Sequence, residues 1–262
     1  MRKLLSVQLL ETSIIKVVVL ACFLWGALSV SIASFLSTEV LDELVFEDLL
    51  LHVTNNTITV TYTFVILMAL LIDGTGVPTL WQSQICLRSG SRGTWLCSLL
   101  VAAIAKVTLF IAFICLFIFV VGLHNGAVFA IRWEQVHAAP YLLNLMPVQV
   151  ALISLALVFC RLLFFSLLAI LINLVFPKHH CGAIISILAS CCIDANYSVL
   201  LPFLPVELAP NYHSLIAYST GTGHWYPRIG FFWSFLYWGI CIISVFITTY
   251  GILKKRDFIL QR

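Results

Sequence analysis

Along the chain, apolar residues gather into six long runs at about 15–36, 57–73, 97–122, 148–176, 183–203 and 230–253, separated by shorter polar stretches. A helix rising about 1.5 Å per residue needs about 20 residues, with a range of about 17–25, to cross a hydrocarbon core about 30 Å thick. The runs are of that length, so the pattern predicts six membrane-spanning helices. Only Pro177-Lys178-His179-His180-Cys181-Gly182 separates the fourth and fifth runs. A proline that cannot continue a helix and a glycine that permits a sharp reversal make them a helical hairpin. Residues 204–229 hold Pro205, Pro210 and Pro227 among Tyr212, Tyr218, Trp225 and Tyr226. This stretch is too irregular for a span. Short re-entrant or interfacial helices are expected there, with the aromatics at the headgroup level and the irregular backbone covered by protein or reached by water.

Composition removes the soluble alternative. Of 262 residues, 62% are hydrophobic and 10% charged, against about a quarter charged in an ordinary soluble domain. Residues 1–262 read as a single all-α transmembrane domain with little left for another. The formal charge of +3 is small and points to no nucleic-acid partner. Its distribution says more, because cytoplasmic flanks retain lysine and arginine. With the N-terminus inside, that side holds Arg2, Lys3, Lys16, Arg88, Arg92, Lys178, Lys254, Lys255, Arg256 and Arg262, and the outer loops hold Arg132 and Arg228. The asymmetry requires an even number of spans and places both termini in the cytoplasm. Arg2 and Lys3 precede an apolar run that begins near Ile14 and continues past Phe35 without a convincing small-residue cleavage site, so the first run reads as a retained span. Most of the nine cysteines lie in apolar runs, where a thiol is a small buried hydrophobe. Their spacing yields neither a disulfide framework nor a zinc site.

Three ionisable residues stand inside apolar runs, where such groups are costly and face a bundle interior or a watery cavity: Lys106, Arg161 and Asp194. Lys106 can alternatively snorkel from the inner leaflet along its alkyl stem. Arg161 lies near mid-helix and needs a partner. Asp194 comes within about 6 Å of its depth, so an Arg161–Asp194 pair is expected, structural before substrate-binding in role. The first outer loop, about 37–56, interleaves Glu39, Asp42, Glu43, Glu47 and Asp48 with leucines. It reads first as a solvated acidic connector, and otherwise as an amphipathic helix whose acidic face meets a cationic substrate. His179-His180-Cys181 reads as polar turn residues rather than a metal site, since three adjacent residues in a tight turn cannot converge on one ion. His124, His137, His213 and His224 are scattered over outer segments and suggest no site. The sequons at Asn55 and Asn196 carry no weight. No internal repeat of the kind secondary carriers show is present.

The inner loop between the second and third runs, Asp73 to Trp95, is the most informative stretch. Gly74, Gly76 and Pro78 open it, Thr79 to Leu87 can form two helical turns, and Ser89-Gly90-Ser91 breaks them. Together with an amphipathic segment from Met1 to Lys16, six spans, irregular outer helices before the last span, the sequence Arg88-Ser89-Gly90-Ser91-Arg92-Gly93-Thr94-Trp95 and the basic tail Lys254-Lys255-Arg256-Asp257-Phe258, this layout resembles the type 2 family of ATP-binding-cassette permeases over essentially the whole chain. The resemblance implies the type V exporter fold. It also implies that the inner loop is a coupling helix seated in a groove of a cytoplasmic ATPase, with Thr79, Leu80, Trp81, Gln82, Gln84, Leu87, Arg88 and Arg92 at the contact. Relatives often carry Glu near the start of this loop. Here the corresponding residue is Asp73, shorter and nearer the membrane.

The chain has no Gly-x-x-x-x-Gly-Lys-Ser/Thr phosphate loop, so ATP and magnesium belong to a separate ATPase subunit. The resemblance further implies a second permease copy, or a related permease, and a bacterial plasma-membrane location. It also implies export or extraction of an amphipathic substrate, a peptide antibiotic or a lipid. Two other readings stay open: a non-transporting sensor or immunity protein, and an intramembrane enzyme. The enzyme would need paired carboxylates, a histidine-rich metal set or a Ser/Lys dyad inside the spans.

Overall fold

A computed structural model describes residues 14–38, 44–56, 58–73, 92–129, 146–176, 180–195, 210–214, 218–219, 225–226 and 231–255. The fold is helical: α1 Ile14–Thr38, α2 Phe46–Asn55, a wide π-helical turn Ile58–Phe64 continuing into α3 Val65–Ile72, α4 Arg92–His124, α5 Pro147–Val175, α6 Cys181–Ala195, α7 Pro210–Ser214 and α8 Phe231–Lys255. A two-residue antiparallel pairing, β1 Tyr218–Ser219 with β2 Trp225–Tyr226, lies inside the irregular stretch before α8. The helices α1, α4, α5 and α8 are each long and apolar enough to cross a membrane, and a fifth span is formed if α2 and Ile58–Ile72, bent by 65°, are taken together. The chain is thus a multi-pass helical membrane protein. The described part of the expected fifth run is the 15-residue α6, and the remainder of that run lies outside the described residues.

Contacts fix the relative direction of the helices. At one end Phe46 packs under Gly122 of α4, His52 of α2 meets the Ser31 carbonyl of α1 (3.1 Å), and Ser154 of α5 donates to Thr54 Oγ1 of α2 (2.6 Å). α1 and α4 therefore run toward that end and α5 runs away from it. The opposite end gathers Lys16, Asp73, Arg92, His180 and the terminus of α8. Helix α5 is the most enclosed of the spans and touches α2, α3, α4, α6, α7 and α8. Its start is set by Pro147 at the first helical position, with the Gln149 side chain accepting the Met146 N–H (3.0 Å).

Two sequence expectations change here. The segment around Glu47 and Asp48 is not a solvated connector: both residues begin α2 and are buried, at 3% and 0% exposure. Each acid lies in the first turn, where the helix dipole favours negative charge, and Val45 bridges to Val128 beyond the end of α4, which holds the helix against the bundle. The acidic pattern suggested an outer connector but could not reveal which face would be covered. The second change concerns the α5–α6 hairpin. Among the described residues of the reversal, His180 is left-handed (φ 69°), and its carbonyl accepts the Ile184 N–H at the start of α6 (2.9 Å). Gly182 sits inside α6, where it permits close approach: a Cβ there would collide with the Ala169 carbonyl and the Asn173 carboxamide of α5. The Gly182 N–H donates to Asn173 Oδ1 (2.8 Å). Gly182, Ser186 and Ser190 then follow at four-residue spacing, the small-residue seam that lets membrane helices meet closely.

Candidate functional site

The seam on α6 leads to a buried polar centre. Arg161, midway along the 29-residue α5, is fully buried. Its Nη2 donates to Ser190 Oγ of α6 (3.1 Å) and its Nη1 to Ser214 Oγ of α7 (3.0 Å), while its guanidinium carbon lies 5.5 Å from the Phe165 ring centre. Both hydroxyls pass the chain onward: Ser190 donates to the Thr61 carbonyl (3.0 Å) and Ser214 to the Pro210 carbonyl (2.7 Å). A planar guanidinium with five N–H donors can serve several elements at once, and here it ties α5, α6, α7 and, through Ser190, the π-helical turn. Wide turns of this type recur at functional sites. This one starts where Asn56 Oδ1 accepts the Thr59 N–H (3.1 Å).

α7 lies deep. Ser214 reaches a residue at the middle of a long apolar helix, so Pro210–Ser214 packs inside the bundle, against α5, α6 and α8. Its neighbour His213 is buried, stacks on Tyr237 of α8 (4.1 Å between ring centres, 16° between planes) and sets Nδ1 3.2 Å from Ser234 Oγ. Trp238 Nε1 donates to the His213 carbonyl (3.0 Å). The reading of His213 as one of several scattered histidines is therefore corrected. Only the return of residues 210–214 into the bundle brings it to Ser234.

No family model, curated protein or solved structure matches this chain.

Arg161 and Lys106 are both interior, and they are separate. Lys106 is 4% exposed, so it does not snorkel to water as one reading allowed; it lines an apolar groove between α1, α3 and α4. Asp194 belongs to α6, one turn beyond Ser190 and in register with it. Its side chain, and with it the expected Arg161–Asp194 pair, lies outside the described residues. Among its described contacts, the guanidinium meets the two serine hydroxyls and the Phe165 ring. Of the expected coupling residues, Thr79, Leu80, Trp81, Gln82, Gln84, Leu87 and Arg88 also lie outside the described residues.

Arg92 opens α4 and donates through Nη1 to the carbonyls of Leu253 (3.0 Å) and Lys254 (2.5 Å). The last carbonyls of a helix lack intrahelical partners and carry the negative end of its dipole, so a guanidinium is well suited to close α8. At the same end of the bundle, Asp73 Oδ2 meets His180 Nδ1 (2.5 Å) and Lys16 Nζ (3.8 Å), and Lys16 also reaches the Asp73 carbonyl (3.4 Å). His180 is thus more than a polar turn residue. It links the hairpin to the end of α3.

Proposed function

We propose that this chain is the membrane-spanning subunit of a transporter powered by a separate cytoplasmic ATPase, of the type 2 ATP-binding-cassette permease kind. In this reading it has six spans, both termini in the cytoplasm and the type V exporter fold. The observation that supports the reading is what the two described residues flanking positions 74–91 hold. Asp73, on one side, holds Lys16 of α1 and His180 of the α5–α6 hairpin; Arg92, on the other, holds the end of α8. In this reading a push arriving at Asp73 or Arg92 would be passed to α1, the hairpin and α8, as well as to α3 and α4. Thr79, Leu80, Trp81, Gln82, Gln84, Leu87 and Arg88 would meet the ATPase, and Arg92 would relay the push. ATP and magnesium stay on that partner. A second copy, or a related permease, completes the path for an amphipathic substrate, a peptide or a lipid, in a bacterial plasma membrane. The Arg161 centre is where α6 and α7 must exchange hydrogen bonds if they move.

The test is a gentle detergent pull-down of the tagged chain from its native membrane, comparing wild type with the double variant Trp81→Ala, Leu87→Asp. A cytoplasmic ATPase is expected with wild type and is expected to be lost from the variant. Wild type bringing down no ATPase would sink the proposal.

One observation favours a second reading, the intramembrane enzyme. His213 Nδ1 lies 3.2 Å from Ser234 Oγ, the reach of a base for its nucleophile; Tyr237 stacks on the imidazole and Trp238 holds the His213 backbone carbonyl. Under this reading a serine-directed fluorophosphonate probe labels the purified chain, and Ser234→Ala abolishes the label. Absence of labelling in wild type would leave the pair a packing contact.

A further inference from the structure

A second interior site stands apart from the Arg161 centre. The groove that Lys106 lines has a volume of about 300 Å³, and its other described walls are apolar, among them Val17, Leu20 and Leu24 of α1, Leu67 and Leu71 of α3, and Phe113 of α4. It runs lengthwise. Val17 adjoins Lys16 at the bundle end, and Leu24 lies about 10 Å further in. The groove is half open, and residues beside it, Phe23 at 68% exposure and Leu109 at 67%, face outward on spanning helices, toward lipid. A narrow apolar slot with a cation on one wall suits a molecule with one acyl chain and one acidic head.

We propose that this groove binds a single-chain carboxylic amphiphile, a long-chain fatty acid, with its chain along α1 and α3 and its carboxylate on Lys106. Shape favours one chain, since the groove is a single slot of about 300 Å³ along α1 and α3, at the lower limit of ligand sites. Depth favours a carboxylate. Lys106 lines the groove from a position about 20 Å along α4 from Arg92, inside the apolar run of that helix. A carboxylic acid can enter an apolar layer uncharged, whereas a permanently charged phosphodiester is kept at its edge by the cost of desolvation. Once in place, carboxylate and ammonium form a charge-assisted pair with little competition from water. The site does not depend on the ATPase partner, so it stands or falls independently of the transport reading.

The purified full chain in detergent is irradiated with a diazirine-bearing palmitate, and the labelled peptides are mapped by mass spectrometry. Label is expected on residues 17–24 and 106–113, competed by palmitate but not by hexadecanol, which has the chain without the charge. Lys106→Met, close in shape, is expected to cut labelling about tenfold or more, and Lys106→Arg to retain it. If Lys106→Met does not fold, Ala21→Phe, which fills the groove from α1 with Lys106 intact, is expected to remove the label instead. Label that survives in folded Lys106→Met or Ala21→Phe, equal competition by hexadecanol, equal competition by a two-chain phospholipid, or label confined to other helices would each overturn the proposal.

Discussion

Gly182→Ala is expected to cost the folded protein about 2–3 kcal/mol, and Gly182→Leu to prevent the α5–α6 hairpin from closing. The added Cβ would meet a backbone carbonyl, Ala169 O, and the carboxamide of Asn173, itself fully buried. The carbonyl belongs to a regular helix and cannot yield, so the helices must part. Parting them also loses the Gly182 N–H to Asn173 Oδ1 bond and lengthens the Arg161–Ser190 contact, which lies along the same seam. Thermal inactivation in detergent, followed by gel filtration, is the measurement, and a midpoint lowered by roughly 5 °C or more is expected for the alanine variant. An unchanged midpoint would mean that the two helices do not approach as described. Gly122→Ala makes a useful comparison: its Cβ would meet the Phe46 ring, a side chain that can rotate away, so its cost should be smaller.

At the polar centre, the second large effect runs against intuition. Ser190→Ala is expected to destabilise more than Arg161→Met. Removing the serine leaves the guanidinium with one fewer buried acceptor, and a hydrogen bond to a charged group is worth about 1.5–3 kcal/mol. Removing the arginine instead relieves the chain of a charge that costs about 2.5–3.5 kcal/mol at the centre of a spanning helix. Both serines keep other partners, the Thr61 and Pro210 carbonyls. Replacing a buried charge by an apolar side chain of similar length is often neutral or stabilising. Arg161→Met should therefore hold or raise the thermal midpoint while releasing α7 from α5, which limited proteolysis would register as new cleavage near residues 204–217. If Arg161→Met is the more destabilised variant, Arg161 serves chiefly to hold the fold. If stability holds and transport by the reconstituted complex is lost, its charge serves function.

How much of this was legible beforehand depends on the kind of feature. Apolar runs located α1, α4, α5 and α8 because a membrane imposes length and hydrophobicity on each span separately. Arg161 and Lys106 stood out for the same local reason: a charge in an apolar run is conspicuous wherever the helix packs. Their partners did not stand out. Ser190 and Ser214 are small polar residues whose value lies in which helix they face, although the four-residue spacing of Gly182, Ser186 and Ser190 was a readable signal that the glycine's assumed turn role obscured. His213 looked ordinary until residues 210–214 brought it to Ser234 and Tyr237. Glu47 and Asp48 looked solvated, because acidic residues in a loop usually are.

What the sequence by itself determined is therefore what one segment settles alone: a helical, multi-pass protein, its apolar runs, the hairpin reversal and the costly charges within them. Tertiary structure decided everything that needs two distant segments. It set Arg161 between α6 and α7, closed α8 with Arg92, joined Lys16, Asp73 and His180 at one end, and opened a groove beside Lys106. The physical reason is that lipid selects helices one at a time by composition, whereas polar groups inside the bundle are satisfied only by whichever neighbours packing supplies.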